Sequence, residues 1–287
     1  MEPLKRIAAI HDLSGLGKCS LTMALPVISA TGVECSCIPT VLLSTHTGEF
    51  KDYTYKNLSD EMLPIAAHWR REGARFDGIY SGYLASPAQG KLLEAIIDLL
   101  AEDDTMIIVD PVMADNGEYY SNLGHDMCEE FRYLCTLADV ITPNITEAAF
   151  LAGMKYMPPP HGRGYVEKLL DRLGRLGSRR VVITGVRPPE GGVGNLAFDR
   201  ESGETFFAMR PASEGVFYGT GDLFASALAA LLVRGAGLKE ALETANALVD
   251  ESIQRTELRG TPRRFGVNFE GALPAYVRRV QEIFGEN

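Results

Sequence analysis

The chain lacks the features that would send it into a membrane, onto nucleic acid or into an oxidising compartment. No apolar run reaches the roughly 18 residues of a membrane span. Cationic residues are in deficit: 28 Lys and Arg against 38 Asp and Glu leave a net charge of −10, with an isoelectric point near 5.1. That balance argues against nucleic acid or an anionic membrane as the main partner. There are five cysteines, an odd count, and none forms a C-x-x-C pair. Cys35 and Cys37 alternate along an expected strand, while Cys128 and Cys135 fall on an expected helix. Reduced, buried thiols are therefore expected, not a disulfide framework or a zinc site. The opening MEPLKRIAAIHD has no signal-peptide h-region and runs straight into a strand pattern, which adds to the expectation of a cytoplasmic protein. Repeats, low-complexity tracts and linkers are absent too. With 287 residues, 46% of them hydrophobic, the chain is expected to form a single domain over 1–287.

Two phosphate-binding signatures are missing where they would be sought first. DLSGLGKCS has Asp12 where a Walker loop needs glycine, and Cys19 where it needs Ser or Thr. A dinucleotide fingerprint fails at Ser20. The G-x-S-x-G elbow of a hydrolase is also absent.

What is present is a strand–helix alternation. Strand patterns run from Arg6 (RIAAIHD), Val33 (VECSCIP), Asp77 (DGIYSGY), Met106 (MIIVDP), Asp139 (DVITPN) and Val181 (VVITGV). Amphipathic or apolar helical patterns lie between most of them. This predicts an α/β fold with a mostly parallel central sheet and helices on both faces. GNLAFD and ETFFAMR around the turn RESG predict an appended antiparallel hairpin. Two segments break the rhythm. LSTHTGEFKDYTYKN, from Leu43, reads as a long loop covering a site. ELRGTPRRFGVNFE holds the densest basic cluster, Arg259, Arg263 and Arg264 near Arg255, and reads as a solvated loop.

The stretch VFYGTGDLFASALAALLVRG, from Val216, organises the rest. Gly219 and Gly221 bracket Thr220, Asp222 follows, and from Leu223 to Val233 only Ser226 is polar. Such a helix is buried, and its glycine mouth offers free N–H groups and a positive dipole end to an anion. Asp222 at that mouth is either an N-cap or a base that takes a proton from a nucleophile attacking the anion.

Further polar residues recur at the carboxyl ends of the expected parallel strands, the edge along which open α/β sheets bind ligands. They are Asp12, Ser81 with Tyr83, Asp110 with Asp115, Asn144 with Glu147, and Thr184 with Gly185. TPNITE also reads as a capping box, Asn144 with Glu147. A carboxylate rim beside an anion hole suggests Mg²⁺ bridging phosphates.

GTGD opening an apolar helix resembles the second signature of the ribokinase-like sugar and vitamin kinases. Within that group STHTG at Ser44, SGYLAS at Ser81, VDPVMAD at Val109 and TPNITE at Thr142 look like pyridoxal/pyridoxamine kinases. The resemblance implies a three-layer ribokinase-like sandwich, a homodimer, and phosphorylation of the hydroxymethyl group of pyridoxal, pyridoxamine or pyridoxine by ATP and Mg²⁺, with a monovalent cation such as K⁺ as a further requirement. It implies Asp222 as general base, Gly219, Thr220 and Gly221 as anion hole, and Asp110 and Glu147 orienting the metal. Asn144, Thr184 and Asp115 would lie near the nucleotide phosphates, and His46, Thr47 and Tyr83 would line the pyridine pocket. Asp12 stands where those kinases commonly have Ser. DLSGLG instead resembles hydroxymethylpyrimidine kinases, which share the fold, so that pyrimidine is the alternative acceptor. A catalytically idle binder of B6 vitamers or nucleotide is the alternative outside enzymes.

Overall fold

β-branched and aliphatic runs bounded by turn residues form the strands, and helices with one apolar face cover them. The protein, seen here in a computed structural model, is described over residues 4–213 and 215–286. The ends of the expected domain, residues 1–3 and 287, lie outside that range, as does residue 214.

In chain order the strands are β1 (Arg6–Ser14), β2 (Glu34–Leu43), β3 (Tyr55–Asn57), β4 (Gly78–Ser81), β5 (Met106–Val109), β6 (Ala114–Asp115), β7 (Glu118–Tyr119), β8 (Val140–Ile141), β9 (Arg180–Val186), β10 (Val193–Asp199) and β11 (Thr205–Arg210). The helices are α1 (Leu21–Ala30), α2 (Ser59–Arg71), α3 (Pro87–Leu100), α4 (His125–Leu137), α5 (Ile145–Leu151), α6 (Arg163–Gly174), α7 (Thr220–Arg234), α8 (Leu238–Arg259) and α9 (Leu273–Phe284). The main sheet has the order β11-β10-β9-β8-β5-β4-β1-β2-β3. Pairing is parallel from β9 through β8, β5, β4 and β1 to β2. The β10–β11 hairpin extends one end antiparallel, as expected, and β3 adds an antiparallel strand at the other. β3 comes from the segment expected to be loop throughout. Its residues are all exposed, so no alternation of burial marked it. A separate two-stranded hairpin, β6–β7, stands beyond the end of β5.

Two cores flank the sheet. One gathers Ile7, Tyr80 and Val182 of the sheet with α1, α7, α8 and α9. The other gathers Ala8, Ile10 and Ile79 with α2 to α6. The period-2 geometry of a strand explains the split, because neighbours such as Ile7 and Ala8 point to opposite faces. α7 is buried from Leu223 to Val233, and lies so close to the sheet that a Cβ on Gly78 would sit 2.7 Å from Val233 Cγ2. That packing fixes where α7 begins.

Candidate active site

α7 starts at the carboxyl edge of the sheet. Its N-cap is Gly219, left-handed at φ 79°, and no side chain caps the helix. A Cβ on Gly219 would meet the Lys18 carbonyl oxygen at 2.3 Å. The turn thus needs glycine for both conformation and space, and the first N–H groups carry no side-chain cap. Thr220 turns its hydroxyl back to the Phe217 carbonyl, 3.1 Å away. Asp222 is the third helical residue and not the N-cap, so the capping role open to it in the sequence is absent. It is half-buried. Burial nevertheless raises its carboxyl to about 7, with the Asp12 charge adding to the rise and the Ser20 N–H opposing it. Ser20 itself is held at φ 51°, ψ −128° and Lys18 at φ 47°, positive-φ backbone that costs a non-glycine residue about 1–3 kcal/mol. The strained loop is what aims the Ser20 N–H at Asp222, and only tertiary structure reveals it.

Asp110, at the end of β5, is buried. Burial first, then the Asp222 charge, raise its carboxyl to about 8, against the Thr142 hydroxyl. Glu147 forms the capping box: Asn144 Oδ1 accepts from the Thr146 and Glu147 N–H groups, and Glu147 Oε2 accepts from the Asn144 N–H at 2.8 Å. Glu147 Oε1 also accepts from the N–H groups of Met113 and Ala114, at 3.0 and 3.4 Å. The carboxylate therefore clamps the turn before Asp115 as well as capping α5. Among the described residues no three His, Cys, Asp or Glu side chains converge as a metal cage. Mg²⁺ does not need one, since it is commonly held by one or two carboxylates, waters and substrate phosphates. Asp110 fits that use: a buried hard-oxygen donor whose ionisation is opposed by a neighbouring carboxylate is what a cation would relieve. Tyr120 was not foreseen. Though the side chain as a whole is exposed, its hydroxyl is raised well above the usual range by loss of water around it and by Glu147, Asp115, Asp222 and Asp110, which puts it amid the acidic rim.

Asn144 and Thr184 are brought together by an isolated parallel bridge that continues the β8–β9 pairing. Asn144 Nδ2 donates to the Ala114 carbonyl at 2.7 Å. Asp115 lies at the end of β6, exposed, with Arg187 acting on it from beyond β9. Arg187 is a second residue that no sequence motif signalled.

On the other side of Asp222, Asp12 is buried and raised by burial, while the Ser20 and Ser14 hydroxyls oppose the rise; Ser14 Oγ lies 2.8 Å from its Oδ2. Tyr83 is half-buried, its hydroxyl raised by burial and by Tyr55, Asp12 and Tyr53. Thr47 is exposed at the rim. His46 is only 7% exposed and both its nitrogens are engaged within the chain. Nδ1 accepts from the Gly48 N–H at 3.0 Å, which leaves Nε2–H to donate to the Arg264 carbonyl at 2.6 Å. The basic segment after α8 is solvent-exposed at Arg259 and Arg264, as expected of a solvated loop, but its backbone is tied to His46 through the Arg264 carbonyl. The Arg264 guanidinium lies over the Phe50 and Phe265 rings at 5.6 and 5.1 Å, and that of Arg263 over Phe217 at 4.4 Å. Cation–π contact and the aromatic residues of the loop after β2 hold it there.

The sheet order, the glycine-opened buried helix and the carboxylates around its mouth define the class, an α/β small-molecule kinase. A family model described as phosphomethylpyrimidine kinase matches residues 24–264. The chain belongs to that family, and its similarities within it run to pyridoxal kinases. The pyridoxal kinase of Lactobacillus plantarum superposes with a TM-score of 0.88 at 31% identity, over 98% of this chain and 99% of that one. A Bacteroides thetaiotaomicron protein assigned as a phosphomethylpyrimidine kinase, crystallised with pyridoxal, gives 0.90 at 34% identity, over 96% of both chains. The pyridoxine/pyridoxal/pyridoxamine kinase of Bordetella avium is 29% identical over 98% of this chain and 94% of its own. The resemblance expected from the motifs is borne out, as are the fold and the kinase class.

Proposed function

We propose that the chain transfers the γ-phosphoryl group of ATP to the hydroxymethyl group of a B6 vitamer, with Asp222 as general base. The observation that carries this is Asp222 itself, an uncapped third residue of α7 whose carboxyl is raised to about 7 beside the Gly219–Gly221 turn. A base is most effective with its pKa near the working pH. Such transfers rest on positioning and on stabilising charge. The N–H groups of Gly219, Thr220 and Gly221 face the developing charge, and Asp222 removes the hydroxyl proton as the oxygen attacks. The Ser20 N–H holds the resulting carboxyl group in place.

Asp110 is the residue suited to Mg²⁺, which when bound neutralises charge across the phosphates. Glu147 supports it by fixing the turn to Asp115, and Asn144, Thr184 and Asp115 serve the nucleotide. Asp12, Thr47 and Tyr83 face the acceptor, with His46 beneath. A monovalent cation, a homodimer, a single domain over 1–287 and a cytoplasmic setting belong to the same reading, on the strength of the sequence resemblance and composition. No helix among the described residues is long and apolar enough to cross a membrane.

The second reading changes only the acceptor. The family model's description and Asp12 favour hydroxymethylpyrimidine. Comparing kcat/KM for pyridoxal, pyridoxamine, pyridoxine and hydroxymethylpyrimidine with ATP and Mg²⁺ decides between them. A vitamer should win by tenfold or more, a difference of roughly 1.4 kcal/mol; a tenfold advantage for the pyrimidine overturns the first reading.

A further inference from the structure

One imidazole touches four separate segments of the chain. His46 stacks on Tyr218 with ring centroids 4.8 Å apart and meets Phe50 edge-on at 4.9 Å. Its Nε2–H donates to the Arg264 carbonyl and its Nδ1 accepts from Gly48. Below it lies Gly17, where a Cβ would sit 2.3 Å from the ring's Cδ2. Gly48 is confined in the same way, with a Cβ 2.4 Å from the Tyr218 ring. Glycine at 17 and 48 is therefore the space the stack requires. Tyr218 immediately precedes the Gly219 turn that opens α7, so the ring joins the acceptor-side loop after β2 to the peptide that carries the phosphate-facing N–H groups.

We propose that His46 is a positioning residue that ties the acceptor loop to the α7 turn and to the segment after α8, so that binding of nucleotide and of vitamer reinforce one another. A buried ring with both nitrogens bonded to the chain holds no free polar atom for the substrate. What it can do is fix the relative placement of segments that approach different substrates. Whichever ligand binds first settles the arrangement for the other, and this is coupling in the thermodynamic sense. The inference rests on the kinase reading for its ligands but not for the tie itself, so the two are measured separately.

The tie is read in the unliganded protein by hydrogen exchange. His46→Ala should speed exchange at least about tenfold in peptides covering residues 215–218 and 262–266, and His46→Gln, which keeps a donor toward Arg264, should restore part of the protection in 262–266. Unchanged exchange in both peptides overturns the proposal. The coupling is read by calorimetry of pyridoxal with and without a non-hydrolysable ATP analogue and Mg²⁺. Wild type should bind pyridoxal at least about fivefold more tightly in the presence of the analogue, within the ordinary range of coupling. In His46→Ala and in Gly48→Ala, which drives a methyl into the Tyr218 ring, that ratio should fall to about one while the analogue's own Kd changes less than about twofold. A ratio of one in wild type, or weakening of pyridoxal by the same factor with and without analogue, overturns it and makes His46 an ordinary pocket contact. Failure of wild type to bind pyridoxal at all removes the acceptor assignment, and the exchange result still decides the tie.

Discussion

Asp222→Asn should make the protein less active and, above neutral pH, more stable. Asn is nearly isosteric and keeps an oxygen to accept the Ser20 N–H. No cap is lost, because Gly219 occupies that position. What disappears is proton acceptance, typically worth about 10²–10⁴-fold, or about 3–5 kcal/mol of barrier. What also disappears is a carboxylate whose charge is repelled by those of Asp12 and Asp110. Its folded pKa, about 7, lies above the ordinary 3.8. The folded state is therefore progressively destabilised as pH rises from about 4 to 7, fully so above that, and not at all below it. For a wholly enclosed carboxylate a rise of that size would correspond to about 4 kcal/mol, which the partial exposure of a half-buried group brings down to about 1–2 kcal/mol. We expect kcat to fall at least about a hundredfold, with the Kd values for ATP and vitamer little changed. The melting temperature should rise by about 2–5 °C at pH 8 and not at pH 4. Calorimetry and steady-state kinetics on one preparation test both. Retention of more than about a tenth of wild-type kcat with chemistry rate-limiting, or a lower melting temperature at pH 8, refutes the assignment.

Glu147→Gln should cost about 1–3 kcal/mol of stability, seen as a lower denaturation midpoint, because the amide NH₂ would face N–H donors that the carboxylate now accepts from. Gly219→Ala places a methyl against the Lys18 carbonyl in a left-handed turn; kcat/KM for ATP should drop at least about tenfold, a loss of about 1.4 kcal/mol, and an unchanged value would remove the turn from the phosphate site. His11 is fully buried, neither ring nitrogen has a hydrogen-bond partner among the described residues, and burial lowers its pKa to about 3. The unfolded chain takes up a proton below about 6.5 and the folded one does not, so stability present above 6.5 is lost as pH falls, by about 2 kcal/mol at pH 5. His11→Gln should show a shallower loss of stability between pH 7 and 5 than wild type in denaturant titrations.

The sequence alone determined the layers and the edge of the sheet that carries the site. Alternation of short aliphatic strands with helices dictates a parallel sheet, and the unbroken apolar face of α7 dictates a buried helix with its glycine mouth at the strand ends. These are local patterns, legible because each residue's periodicity reports which way it points. Roles that depend on residues far apart in the chain were not legible. That Gly219, not Asp222, takes the cap position of α7 was not legible. The cap role of Glu147 was legible in TPNITE, but the bonds of its second oxygen to Met113 and Ala114 were not. That His46 meets the Arg264 carbonyl across 218 positions of chain was likewise beyond any local pattern. Burial and hydrogen bonding between distant segments set the charge, tautomer and freedom of a side chain, and only the packed tertiary structure decides them.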